Sequence, residues 1–389
     1  MPGLTLNDFQ LFEDGVEQKI TGFAYSNGGR LYGSLATAAP PLPVREGMIL
    51  PKTAPPKDIA GRIFIVFIDD LHLTPDISPR VKELLKDVRN SVLHDNDLVG
   101  FVSTGYSSIA MDLAYDYGHK RMDEVINKVM GSGLTPREMI EMPQGADGLA
   151  EVNHNVQVAF GTAYDILDQM EKITGQRKAF IYISSGYMLD PFKDARLKRV
   201  QQEYNDLYGS SSSSDQSDPN NSNNNNNNNS SDQQYGDDPY GNHSMEFKNA
   251  DLMHQIAELI RAANRANVMF FTMDPRGLLA GPDSASSNYQ LSYAEWRDFI
   301  QTTTSTLRVI AEQTGGVAAV ETNDFKKALQ TIDNMTSDYY MLGYQSSNPD
   351  PLHLHRRIEV RLKRPGMKLD PGRDYKDSYD LKKPSKRGT

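Results

Sequence analysis

The stretch Arg62-Ile-Phe-Ile-Val-Phe-Ile-Asp-Asp-Leu71 decides the fold. From Ile63 to Ile68 it is apolar without a break. A strand with one wet face would alternate, so this run reads as a strand covered on both sides, as in a parallel sheet flanked by helices. Just downstream, Val81, Leu84, Leu85, Val88 and Val92 recur at helical spacing, with Pro79 at the start. Leu98 to Val102 reads as the next strand. The alternation continues with helices around Met122 to Met130 and Val156 to Met170, a strand at Ala179 to Ile183, and a helix marked by Leu252, Ile256, Leu259, Ile260 and Ala263. Then come a strand at Val268 to Thr272, a helix closing at Gly315-Gly316, a short strand at Val317 to Val320 and a helix from Phe325 to Met335. Strands alternating with helices specify an α/β chain with a doubly wound, mostly parallel sheet and helices on both faces.

Both ends of the chain depart from that rhythm. Leu4 to Phe23 alternates around Asp14-Gly15, a hairpin signal. Met341 to Tyr344 and Arg357 to Leu362 read as strands in hairpin arrangement, with Ile358, Val360 and Leu362 alternating with Glu359, Arg361 and Lys363. Neither end can stand alone, so one small antiparallel β unit built from both is expected. The organisation is thus an N-terminal β segment (1–37), a Pro/Ala-rich connector (38–60), an α/β domain (61–345) and a C-terminal β segment and tail (346–389). Within the α/β domain, residues 205–244 are rich in Ser, Asp, Gln and Asn, including an unbroken run from Asn223 to Asn229. That composition cannot bury enough apolar area to offset chain ordering, and a disordered insertion is expected.

Composition removes several functions. Lys plus Arg is 41 and Asp plus Glu is 51 in 389 residues, a net charge of −10. Nucleic-acid binding, which needs clustered cations, is not expected. With 0 Cys there is no disulfide, thiolate zinc site or cysteine nucleophile. The apolar runs fall far short of the roughly 18 residues that span a bilayer. The opening Met1-Pro-Gly-Leu-Thr-Leu-Asn-Asp-Phe9 has neither the basic nor the apolar region of an export signal. No P-loop and no HExxH is present, and no G-x-S-x-G surrounds Ser184 and Ser185.

The same strands resemble a known family. Arg62 to Leu71 resembles the first strand of a von Willebrand factor A domain, and Gly175 to Tyr187 its fourth strand and the loop after it. Ala263 to Leu278, Ala311 to Gly316, Thr322 to Phe325 and Tyr339 to Tyr344 continue in order. Gly3 to Phe9, Glu13 to Gly15, Arg356 to Gly366 and Gly372 to Tyr375 are similar to the ends of the acidobacterial-type branch of that family. The resemblance implies an export signal and a strand upstream of this sequence, and a location in the periplasm, the cell envelope or outside the cell. It also implies a Mg²⁺ site of the pattern Asp-x-Ser-x-Ser, a Thr from a second loop, and an Asp after the fourth strand. A hard cation wants such oxygen ligands and leaves one position for a partner's carboxylate.

This chain departs from the pattern. With Asp69 first, Leu71 and Leu73 stand where hydroxyls belong; the register Asp70-x-His72-x-Thr74 restores only one, and Ser185 replaces the later Asp. Thr135 and Thr162 both match the second-loop Thr loosely. The reading is a degenerate metal position at Asp69, Asp70, Thr74 and Ser185, with Mg²⁺ or Ca²⁺ disfavoured and no cofactor expected. In the bland alternative, Asp69 and Asp70 cap nearby amides. His72, Asp274 and Arg276 mark a candidate partner-binding face, Arg276 either holding a partner's carboxylate or pairing with Asp274 in its own turn. The implied function is a non-enzymatic, adhesion-like module that binds a protein. Two alternatives stand beside it: a hydrolase using the Asp69, Asp70 and His72 cluster, and a structural or assembly component of the envelope.

Overall fold

A computed structural model describes residues 3–27, 30–34, 62–95, 97–116, 119–142, 149–173, 176–208, 239–278, 281, 291–348 and 356–364. In chain order the strands are β1 (Phe9–Glu13), β2 (Val16–Gln18), β3 (Ile20–Asn27), β4 (Arg30–Ser34), β5 (Arg62–Ile68), β6 (Leu98–Ser103), β7 (Asp112–Tyr115), β8 (Arg177–Ile183), β9 (Val268–Met273), β10 (Ala318–Ala319), β11 (Tyr339–Tyr344) and β12 (Ile358–Leu362). The helices are α1 (Ser78–Ser91), α2 (Lys120–Lys128), α3 (Pro136–Glu141), α4 (Ala150–Glu171), α5 (Lys193–Tyr208), α6 (Pro239–Arg265), α7 (Tyr293–Gln313) and α8 (Lys326–Ser337).

Six strands form one mixed, mostly parallel sheet in the order β10-β9-β8-β5-β6-β7. The apolar run around Ile63 lies inside it, parallel to β8 on one side and β6 on the other. Its side chains divide by alternation. Ile63, Ile65 and Phe67 enter a core with α4, α6 and α7, through residues such as Phe160, Leu259 and Leu307. Phe64, Val66 and Ile68 enter a second core with α1, α2 and α8, through residues such as Leu85, Met122 and Leu329. Every residue of β5 is buried, which is why its sequence has no polar alternation. The one antiparallel neighbour is β7, paired to β6 at the edge.

Arg62 opens β5 and is fully buried. It grips Asp97 in two-pronged fashion, Nε to Oδ1 at 2.9 Å and Nη2 to Oδ2 at 2.6 Å. It also reaches Asp333 at 2.8 Å, Ser337 Oγ at 2.7 Å and the Val92 carbonyl at 3.0 Å. Burial raises the Asp97 carboxyl above its ordinary pKa, and the Arg62 charge opposes that. One guanidinium thereby ties the start of β5 to the end of α8.

The chain ends pair with each other but not as one unit. β1 sits between β12 and β2 in one three-stranded sheet, and β3 between β11 and β4 in another. β1 and β2 form the hairpin around Asp14 and Gly15, whose φ values are 50° and 85°. The expected hairpin between Met341–Tyr344 and Arg357–Leu362 is corrected here, because each strand instead takes a partner from the N-terminal segment. The reason lies in the side chains. Tyr340 of β11 packs its ring against Phe23 and Tyr25 of β3, at 5.9 and 6.2 Å, and Arg361 of β12 lies over Phe12 of β1 at 4.5 Å. Phe9 touches Phe23 and Tyr340 at 6.1 and 5.5 Å and so joins the two sheets. Tyr344 falls in β11, although the sequence reading drew its α/β boundary after it.

The Asn-rich insertion is narrower than read from composition. α5 runs to Tyr208 and α6 begins at Pro239, so both of its expected ends are helical. Residues 209–238 lie outside the described residues, as do residues 38–60 of the connector.

Candidate functional site

The carboxyl ends of β5, β8 and β9 meet at one edge of the large sheet, where open α/β sheets place their ligands. The Asp69 amide donates to the Ile183 carbonyl at 2.9 Å, so the β5–β8 ladder runs one residue past β5 and fixes this side chain. Asp69 is fully buried. Its Oδ1 accepts from Thr104 Oγ1 at 3.1 Å and faces His72 Nδ1 at 3.0 Å. Its Oδ2 accepts from Ser184 Oγ and from the Tyr187 hydroxyl, both at 2.8 Å. Since a carboxylate accepts and does not donate, the imidazole proton sits on Nδ1. Nε2 of His72 is then a buried acceptor with no partner among the described residues. The His72 ring stands edge-on to Tyr187 at 4.6 Å.

Tyr187 also meets the Tyr182 hydroxyl, and burial pushes both phenols well above the ordinary tyrosine value. Gly186 makes the turn possible. Its φ is +80°, and a Cβ there would lie 2.0 Å from the Thr303 carbonyl oxygen.

Asp70 is buried as deeply and faces the β6–β7 loop three residues beyond Thr104. It accepts from the Ser107 amide and hydroxyl, each at 2.9 Å. Burial lifts its pKa to about 6, assisted by the charge of Asp69 and opposed by Ser107 and the Gly105 amide. Asp70 thus caps an amide, as the bland alternative of the sequence reading has it, whereas the bonds of Asp69 are to hydroxyls and an imidazole. Apart from His72, the side-chain donors come from loops 35 to 118 residues away in sequence.

The other sequence candidates do not join them. Ser184, not Ser185, bonds Asp69; the Ser185 hydroxyl is buried without a partner among the described residues, and its carbonyl accepts from Arg276 Nη2 at 2.7 Å. Thr74 begins the 3-10 turn Pro75–Ile77 and makes no side-chain cap bond. Thr135 caps α3, and Thr162 bonds the Val158 carbonyl inside α4. The threonine that does reach Asp69 is Thr104, on the loop after β6, and its only signal in the sequence is its place just past an apolar strand. Asp274 and Arg276 are both buried and spend themselves on each other, Nε to Oδ1 at 3.0 Å and Nη2 to Oδ2 at 2.8 Å. Arg276 Nη2 also donates to Thr303 Oγ1 at 2.9 Å. This internal pairing is the second of the two roles the sequence leaves open for Arg276, and its Nη1 is buried with no partner among the described residues.

A hard cation does not fit these residues. A carboxylate has about four acceptor directions, and four side chains already point at Asp69. Leu73 is buried in the core, where the metal pattern calls for a hydroxyl. Among the described residues no three His, Asp or Glu side chains group so as to hold a metal ion.

Three large apolar side chains stand exposed at this edge. Tyr106 on the β6–β7 loop is 76% exposed, Met130 after α2 53%, and Leu278 after β9 64%. The Met130 amide donates to Ser107 Oγ at 2.9 Å, so its loop and that of Tyr106 adjoin. These three escape a reading by period, because an isolated apolar residue in a loop has none. No protein-family model matches the chain, and no curated protein matches it in sequence. No helix among the described residues is long and apolar enough to cross a membrane.

Proposed function

We propose that this chain is a doubly wound α/β module of the von Willebrand factor A type that binds a protein partner without a metal ion and without catalysis, in the cell envelope or outside the cell. The observation that carries the reading is the contrast at the carboxyl edge of the sheet. Asp69, Asp70, Asp274 and Arg276 are buried there and bonded within the protein, whereas Tyr106, Met130 and Leu278 stand exposed on its loops among polar residues such as Asp76 and Ser108. Aromatic and Met side chains with a polar surround are what protein interfaces favour. The filled acceptor directions of Asp69 support binding that bypasses a cation. The test is capture of envelope proteins on the immobilised full chain, with Mg²⁺ or with EDTA, against the Tyr106→Ala/Met130→Ala/Leu278→Ala variant. Capture that survives EDTA and is lost in the triple variant is expected. Capture that requires Mg²⁺ and vanishes in Asp69→Ala would overturn the reading.

A hydrolase is the second reading, favoured by one observation: Asp69 orients His72 and leaves Nε2 unpartnered, as a general base requires. Ser132 and Ser185 each carry a buried hydroxyl without a partner among the described residues. Ester hydrolysis or fluorophosphonate labelling lost in both His72→Ala and a serine variant would establish it in place of the first.

A further inference from the structure

The carboxyl edge of the large sheet holds hydrogen-bonding atoms that the fold itself does not use. Ser185 and Arg276 are more than nine-tenths buried, at 8% and 6% exposure. The Ser185 hydroxyl and Arg276 Nη1 have no hydrogen-bond partner among the described residues, and neither has Nε2 of His72. A buried polar atom without a partner is rare in a folded chain and costs stability wherever it occurs. Three such atoms at one sheet edge point to a ligand that pairs them. The orientation of Arg276 is set from its other side. Asp274 takes Nε and Nη2, and Nη2 also serves the Ser185 carbonyl and Thr303 Oγ1. Nη1 is left with two N–H donors. His72 is the opposite case: with its proton on Nδ1 toward Asp69, Nε2 only accepts. The strand order sets the layout. β5, β8 and β9 are successive neighbours, and His72, Ser185 and Arg276 follow them in that order. Neighbouring strands lie about 4.8 Å apart, so the row is about 10 Å long, the length of about three residues of extended chain.

Charge selects the ligand. The buried charges of this edge are Asp69, Asp70 and Asp274 against Arg276 alone. A carboxylate or phosphate would enter a site that is already negative. The two-pronged side of Arg276, the geometry that suits a carboxylate, is taken by Asp274. A peptide group has what the row lacks: an N–H for His72 and a carbonyl for Arg276 and Ser185, with no charge to strip of water. We propose that the row His72–Ser185–Arg276 binds the main chain of an extended, uncharged peptide segment, with His72 Nε2 accepting from a peptide N–H and Arg276 Nη1 and Ser185 Oγ donating to a peptide carbonyl. The row thereby gives the partner of the protein-binding reading above, on which it rests, its chemistry.

The probe is a library of random dodecapeptides displayed on phage, panned on the immobilised full chain in EDTA. Enriched peptides should be poor in Asp and Glu. A synthetic copy of the best one, N-methylated at each backbone amide in turn, should lose about tenfold in affinity at one position. Ser185→Ala removes a hydroxyl that holds nothing among the described residues. It should leave urea unfolding unchanged and weaken the peptide about fivefold. His72→Asn keeps a donor toward Asp69, removes Nε2, and should weaken the peptide by a similar factor. Enrichment of acidic peptides overturns the proposal, as does the absence of any binder. Peptides lost in the Tyr106→Ala/Met130→Ala/Leu278→Ala variant but indifferent to Ser185→Ala and His72→Asn overturn it too, while leaving the protein-binding reading in place. Peptides that need Ser185 and His72 but ignore the triple variant uphold the row and remove the apolar loops from the reading above.

Discussion

Asp69 is the residue on which the carboxyl edge is organised. Removing its carboxylate leaves the buried hydroxyls of Ser184 and Tyr187 and the half-buried Thr104 hydroxyl and His72 imidazole without their acceptor. Asp69→Ala should therefore cost about 3 to 5 kcal/mol in urea unfolding. Tyr187→Phe removes one donor and should cost about 1 to 2 kcal/mol. A near-neutral Asp69→Ala would mean that the network is not formed in solution. Asp70 gives a pH signature of the opposite kind to most acids. Its pKa in the fold is about 6, above the unfolded value, so the folded chain takes up the proton first as pH falls. The stability tied to this group is greatest below about pH 4 and is lost as pH rises through 6. Relative to Asp70→Asn, the wild type should gain about 2 kcal/mol of unfolding free energy between pH 7 and pH 4.5. A constant difference over that range would refute the burial of an ionising carboxyl there.

Among elements, β5 bears the most and was the most legible. Its unbroken apolar run is the direct imprint of two covered faces, and β8, β9 and α1 were read by the same logic of period. Arg62 shows what such reading misses. It stood in the sequence as a charge before a strand, yet it is fully buried and holds Asp97, Asp333 and Ser337. Partners 35 to 275 residues away leave no local pattern. The same holds at the site, where Asp69 and Asp70 were visible but Thr104, Ser107 and Tyr187 were not. β7 also escaped, because Asp112-Leu-Ala-Tyr115 is too short to show a period. Arg62→Leu should cost about 3 to 5 kcal/mol, since it leaves Asp97 buried and unpaired. Arg62→Leu/Asp97→Leu should recover a large part of that loss in a double-mutant cycle, and strictly additive costs would show that the two charges are not coupled.

At the scale of the whole molecule, the two small sheets make each chain end the support of the other. Removing residues 1–27 takes away β1 to β3, the partners of β11 and β12. Amide exchange should then accelerate at Tyr339–Tyr344 and Ile358–Leu362 while β5 and β8 stay protected, and unchanged exchange at β12 would contradict the pairing. The register of β1 with β12 has a further consequence. Phe9 lies opposite Leu362 and Glu13 opposite Ile358, so the chain enters β1 and leaves β12 at the same end of the pair. A tether pulling on both termini loads that ladder like a zipper, one hydrogen bond at a time, and not in shear across all of them. Force spectroscopy should record a first yield at low force, confined to this strand pair, with the six-stranded sheet giving way only later. For a protein anchored at its ends, the strand pair would act as a mechanical fuse that lengthens the molecule before its core feels the load.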